Sequence, residues 1–213
     1  PWMWNPKPAE ALDAQEFTAF RHAVEAGVDF IMTEHIAVPA LTGGSDLPAS
    51  VEPRLATDVV RGRLGFQGIL TTDDLWYDHV VARFGAEEVA LRAFEAGHDI
   101  RLKPRDPVAT IAALTDAVRS GRIPEERVDA AVRKLLALKS RLGLHRERSV
   151  DPDAVGLAVA TPAHRALVQE IADRSLTLLR NEGVLPVATP GRVVNVSIQK
   201  GEVDAGPSLL EAK

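Results

Sequence analysis

Hydrophobic residues in this chain recur in two rhythms, one at helical spacing and one in short unbroken runs. Over 13–26 the helical rhythm is carried by Phe17, Phe20 and Val24. Asp13 with Glu16 three positions on, flanked by Leu12 and Phe17, has the form of a capping box with a hydrophobic staple, and Gly27 stands where a C-terminal cap belongs. The run 28–33 is short, bulky and apolar, which predicts a buried strand that delivers Glu34 and His35 to a loop. Pro39 and the run Thr42, Gly43, Gly44, Ser45 predict that this loop is long and irregular. A helix is expected over 53–64, with Leu55, Val59 and Val60 inward and Gly62 weakening its last turn. The turn residues Gly65 and Gly68 then introduce a second strand, Ile69, Leu70, Thr71 and Thr72, which runs into Asp73 and Asp74.

Beyond Asp74 the chain reads as partly helical to Phe84. After Gly85 comes a helix whose Val89, Ala90, Ala93 and Phe94 form an apolar stripe ending at Gly97. A third short strand is expected over 99–103. Its Arg101 and Lys103 lie two apart on one face, so they either reach past the rim or pair with acids there, because a strand buried on both faces does not carry two bare cations. Helices follow over 107–119 and 124–142; the second has Pro124 in its first turn, Glu125 and Glu126 at the positive dipole end and Gly143 as a stop. The polar, proline-bearing stretch 145–162 reads as a linker, Thr161 and Pro162 open a helix carrying Leu167, Val168 and Ile171, and a new strand is expected over 193–198. Residues 1–11, with Pro1, Pro6 and Pro8, read as irregular.

Strand and helix alternate three times between residues 15 and 119, which predicts βα units around a parallel sheet, an α/β fold. A closed βα barrel needs eight strands, so three units correspond to part of one. With 46% apolar and 26% charged residues the composition is that of a globular protein, and no apolar run has the length of a membrane span. A net charge of −5 supplies no basic footing for nucleic acid, so a neutral or small-molecule substrate is the expectation. The absence of cysteine excludes thiol catalysis, disulfides and Cys-ligated zinc.

A strand that ends in carboxylates is how a βα barrel presents catalytic groups, since the loops after its strands form the active face. Ile69, Thr71 and Asp73 share one strand face, whereas Leu70, Thr72 and Asp74 share the other. The alternatives are that either acid caps the next helix, or that His35 with Asp73 and Asp74 binds a metal; the sequence has neither His-x-His nor His-Glu-x-x-His.

The stretch Leu64-Gly65-Phe66-Gln67-Gly68-Ile69-Leu70-Thr71-Thr72-Asp73-Asp74-Leu75 resembles the nucleophile segment of glycoside hydrolase family three. Ala26-Gly27-Val28-Asp29-Phe30-Ile31-Met32-Thr33-Glu34-His35 looks like the strand that precedes it in the β-N-acetylhexosaminidase branch. Ala96-Gly97-His98-Asp99, Ser120-Gly121-Arg122-Ile123-Pro124 and Leu138-Lys139-Ser140-Arg141-Leu142-Gly143-Leu144 are similar to blocks that close the family's barrel. Leu178-Leu179-Arg180-Asn181-Glu182-Gly183-Val184-Leu185-Pro186 resembles the entrance to a second, sandwich-like domain. Two departures stand out: Tyr77 occupies a position where the family usually has Met, and Arg101 and Lys103 lie in a strand that is usually apolar.

The resemblance implies the C-terminal part of a (β/α)8 TIM-type barrel over 1–144, a linker and connecting helix over 145–186, and the beginning of an α/β sandwich domain over 187–213. It implies hydrolysis of terminal β-linked sugars, N-acetyl-β-glucosaminides such as those from cell walls in the first place, with retention and with Asp73 as nucleophile. A β-glucosidase-type enzyme, or a non-catalytic member of the family, is the alternative. His35, Asp74, Trp76 and Tyr77 are the expected substrate-binding residues. A small carbohydrate is the expected partner, with no cofactor, metal, nucleic acid or membrane span, and the family's proton donor is expected to lie outside these residues.

Overall fold

A computed structural model describes residues 3–183, which divide into two compact units at Arg148 and Ser149. The strand expected over 193–198, and with it the start of a second domain, lies outside the described residues.

The first unit opens with β1 (Met3–Trp4), α1 (Ala9–Ala14) and α2 (Glu16–Glu25), so the segment expected to be irregular contains a strand and the first half of a helix. The single capped helix expected from Asp13 is in fact two. Gln15 breaks the path, and Asp13 sits inside α1, where its carboxylate bonds Arg21 at 3.0 Å and Arg63 at 3.2 Å instead of backbone N–H groups. Two guanidiniums within reach outcompete the cap. Gly27 does end α2, with φ +80° and its N–H on the Val24 carbonyl.

Next come β2 (Phe30–Thr33), β3 (Ile36–Ala37) and the short α3 (Pro39–Thr42). The loop after His35 is thus more ordered than its prolines and glycines suggest: β3 pairs in parallel with β1, and Gly43 turns the chain away from α3 at φ +67°. The helix expected over 53–64 is present as a π-helix, Leu55–Arg63, whose wider turn is closed by Leu64 N–H on the Val59 carbonyl at 2.9 Å. Its Leu55, Ala56, Val59 and Val60 are buried, as the pattern requires.

The sheet that positions the acids is β2 beside β4 (Ile69–Thr72), parallel and in register from Phe30 opposite Ile69 to Thr33 opposite Thr72. Ile31 and Leu70 share one face and pack with Ala56, Val60 and Phe66 of the π-helix region. Phe30 and Met32 lie on the other face with Thr71, and so does Asp73. Gly68 is needed just before β4, because a Cβ there would stand 2.6 Å from both the Asp29 carbonyl and the Phe66 ring.

The third strand is frayed. Ile100 alone bridges Thr71, although Thr72 N–H bonds the Ile100 carbonyl and Leu75 N–H the Leu102 carbonyl. Asp99 supplies the reason: its buried carboxylate accepts the Leu70 N–H at 3.1 Å, a bond that a regular ladder would give to backbone. Helices α4 (Asp78–Phe84), α5 (Ala86–Glu95), α6 (Pro107–Arg119) and α7 (Glu125–Arg141) complete the unit. Val80, Val89, Ala90 and Ala93 pack on Val51 and Leu75, while Leu91, Phe94, Ala117, Ile123 and Ala131 join α5, α6 and α7. The second unit shows α8 (Val155–Ala158) and α9 (Pro162–Ser175), with the Thr161 side chain capping α9 through His164 N–H.

His98 ties helix to sheet. Its Nδ1–H donates to the Ala93 carbonyl at 3.0 Å, so Nε2 accepts the Thr33 hydroxyl at 2.7 Å. Full burial pushes its pKa from 6.5 down to about 4. A depressed folded-state pKa means that the unfolded chain binds the extra proton between these values, so His98 stabilises the fold fully above pH 6.5 and that contribution is lost as pH falls toward 4. Melting temperature should therefore drop across this window, and His98→Asn, which keeps a donor for Ala93, should flatten the drop. An unchanged slope in calorimetry of the variant would rule the assignment out.

Candidate active site

Asp73 and Asp74 follow β4 at the end of the sheet where β2 also stops. Asp73 N–H donates to the Thr33 carbonyl at 2.8 Å, which extends the ladder by one residue and fixes the first acid on the face of Thr71 and Met32. Neither acid caps α4, whose N-cap is Tyr77 without a side-chain bond. Asp74 instead makes a local turn, accepting the Trp76 N–H on Oδ1 at 2.8 Å, and receives Lys103 Nζ on Oδ2 at 2.8 Å. The Lys103 ammonium, ahead of the Trp76 N–H, holds the Asp74 carboxyl below the usual carboxylate range. None of these bonds uses the Asp73 carboxylate, which is half-buried.

His35 is buried beneath the pair. A carbonyl can only accept, so Nε2 carries the hydrogen bonded to the Asp74 carbonyl at 2.9 Å, and Nδ1 meets the Ser50 hydroxyl at 2.7 Å. At 2% exposure with both nitrogens engaged, its imidazole grips the Asp74 backbone. The Tyr77 ring stands edge-on to it at 5.9 Å and stacks on His79 at 5.6 Å. Trp76 and Tyr77 are each about half exposed, and Trp76 lies against Lys103 and Arg105, at 5.9 and 5.6 Å from its ring centre.

The two cations of the third strand thus part ways. Lys103 pairs with an acid at the rim. Arg101 stacks on Phe94 at 4.5 Å and donates to the Asp99 carbonyl at 3.2 Å, away from both site acids. Ser50 and Lys103 are the site residues that sequence reasoning did not assign. Ser50, between Ala49 and Val51, carries no chemical signature in the sequence, whereas the oddness of a lysine in an apolar strand was a usable signal. Among the described residues no group of three His, Asp or Glu is arranged to hold a metal ion, and no helix is long and apolar enough to cross a membrane. An apolar cleft of about 210 Å³, lined by Leu12, Phe17, Phe20, Ile31 and Met32 among others, does not include Asp73.

Parallel strands followed by helices, with carboxylates just beyond a strand end, are the arrangement in which a βα barrel presents groups on its active face. The family description "Glycosyl hydrolase family 3 N terminal domain" matches residues 2–138, and the chain belongs to this family; its α/β fold is part of a TIM-type barrel. It is 32% identical over 208 residues to a β-N-acetylglucosaminidase/β-glucosidase of Cellulomonas fimi, covering 92% of this chain and 37% of that protein. It is 35% identical over 150 residues to a lysosomal β-glucosidase of Dictyostelium discoideum, covering 67% of this chain and 18% of the relative. The structure of a family 3 β-N-acetylglucosaminidase from Paenibacillus sp. str. FPU-7 superposes with a TM-score of 0.70 at 38% identity, over 84% of this chain and 34% of that one. The chain thus spans roughly a third of the length of the first and third of these proteins.

Proposed function

We propose that the protein carrying this chain is a retaining exo-glycosidase acting on terminal β-linked sugars, N-acetyl-β-glucosaminides foremost, with Asp73 as its nucleophile. The observation that supports this best is the division of labour between the neighbouring acids. Asp74 is committed to Lys103 and the Trp76 N–H, whereas the Asp73 carboxylate takes no part in those bonds. The names of the Cellulomonas and Paenibacillus relatives support the choice of sugar, and the Dictyostelium relative supports a β-glucosidase-type alternative.

In this reading Asp73 attacks the anomeric carbon as the bond to the leaving oxygen breaks. A general acid protonates that oxygen, and water then cleaves the glycosyl ester, releasing the sugar with its original configuration. Trp76 and Tyr77 border the sugar, and His35 acts on it indirectly by holding the Asp74 backbone. Aryl N-acetyl-β-glucosaminide and aryl β-glucoside, assayed with the complete gene product, test the reading. Release of the β-anomer first agrees with it, and release of the α-anomer contradicts retention.

Tyr77 is the residue to vary for selectivity, since an aromatic ring gives a pyranose apolar area together with a polar tip. Tyr77→Met should change the ratio of KM values for the two substrates by several-fold, with kcat less affected. An unchanged ratio would remove Tyr77 from the sugar site.

A further inference from the structure

Two neighbouring carboxylates each oppose the other's ionisation. Asp73 and Asp74 are consecutive, and the elements around them bear Glu34 and His35 after β2, Tyr77, Asp78 and His79 at the start of α4, and Arg101, Lys103 and Arg105 in and after the third strand. Of the three cations, Arg101 is engaged with Asp99 and Phe94 and Arg105 with Asp78 and Trp76, while Lys103 Nζ is 2.8 Å from Asp74 Oδ2.

The backbone around Lys103 is built for that reach. Leu102 N–H donates to the Thr72 hydroxyl at 3.0 Å and Leu102 accepts the Leu75 N–H at 3.0 Å, so the residue before Lys103 is strapped to both ends of the acid-bearing turn. Lys103 itself has φ +45°, a left-handed conformation that a residue with a side chain adopts only where its surroundings impose it.

We propose that Lys103 is a positioning residue that clamps Asp74 as an ion pair and so leaves Asp73 beside it as the uncompensated carboxylate offered to the sugar. The inference rests on the glycosidase reading above and adds to it a residue that acts through Asp74. Removing the ammonium returns the full charge of Asp74 to its neighbour and frees the turn at Trp76.

The test uses the complete gene product with Lys103→Met, and with Lys103→Gly as a second variant that relieves the left-handed backbone. Carbon-13 NMR of the Asp74 carboxyl should show its titration midpoint raised by about half a pH unit in either variant, the scale of an exposed ion pair. The acid limb of the pH profile of kcat/KM should move upward, with KM little changed. Asp74→Asn combined with Lys103→Met should bring that limb back toward the wild-type position, a rescue that a purely structural lysine would not show. An Asp74 midpoint unmoved by loss of Lys103, or an acid limb that the double variant fails to restore, overturns the role of Lys103. A wild-type protein that neither turns over nor forms a glycosyl-enzyme overturns the functional reading and this role with it; the Asp74 titration then still decides whether the pair exists.

Discussion

Asp73→Ala should lower kcat/KM of the complete enzyme by several orders of magnitude while leaving its folding almost unchanged. The expectation follows from where the side chain is and what it does not do. It stands on the β4 face shared with Thr71 and Met32, half-buried, and only its backbone N–H, on the Thr33 carbonyl, ties it to β2. Truncating it leaves the Asp74, Lys103 and His35 bonds in place. An interaction made only in the transition state is lost from kcat and from kcat/KM alike. Asp74→Ala should behave differently, with a smaller loss that works through the Trp76 turn and the Lys103 pair. If the two substitutions cost the same, the separation of roles between the acids is wrong.

The largest expected effect on stability is at Asp99. Its side chain is 1% exposed and is met by Arg61 at 2.9 Å, Arg127 at 3.2 Å and Lys134 at 3.2 Å, in addition to the Leu70 N–H. One carboxylate thus gathers the π-helix, β4 and α7. Burial already draws the Arg61 guanidinium below its ordinary pKa, with Asp99 opposing the shift. Asp99→Asn keeps the shape and removes the counter-charge, leaving three partly buried cations facing one another. Breaking such a group costs about 3 kcal/mol, the low end of the range for buried pairs because the cations keep some solvent. Urea denaturation should give a loss of that size, with a melting temperature lower by roughly 10 °C. A loss below about 1 kcal/mol would mean that water or the cations' own relaxation compensates.

The parts of the fold that could be read in the sequence were those in which one physical signal decides. The run Ile69 to Thr72 ending in two acids and the apolar stripe of α5 are each set by burial, and burial shows as period; α7, in which Ala131 alone is buried, was legible instead from Pro124 and two glutamates at its start and Gly143 after its end. Where two interactions compete for one group, the sequence misleads. Asp13 has the spacing of a cap, but Arg21 and Arg63 approach it from elsewhere in the chain, and that meeting has no local signature. The π-helical turn of Leu55–Arg63 has the same buried residues as an α-helix would, so pattern cannot separate the two. At the site, the strand end that carries Asp73 and Asp74 was legible in the sequence, whereas Ser50 and the choice of Lys103 over Arg101 depend on contacts 15 and 29 residues apart. His35 was legible as a residue near the acids; its burial, with both ring nitrogens occupied, was not.

In the glycosidase reading, Asp73 forms the covalent bond to the sugar. A fluorinated glycoside that forms the glycosyl-enzyme quickly and releases it slowly, followed by proteolysis and mass spectrometry of the labelled peptide, tests it most directly. One sugar per protein, attached to Asp73, is the expected result, with no label in Asp73→Ala. Label on Asp74, or stoichiometric labelling that survives the loss of Asp73, would contradict it.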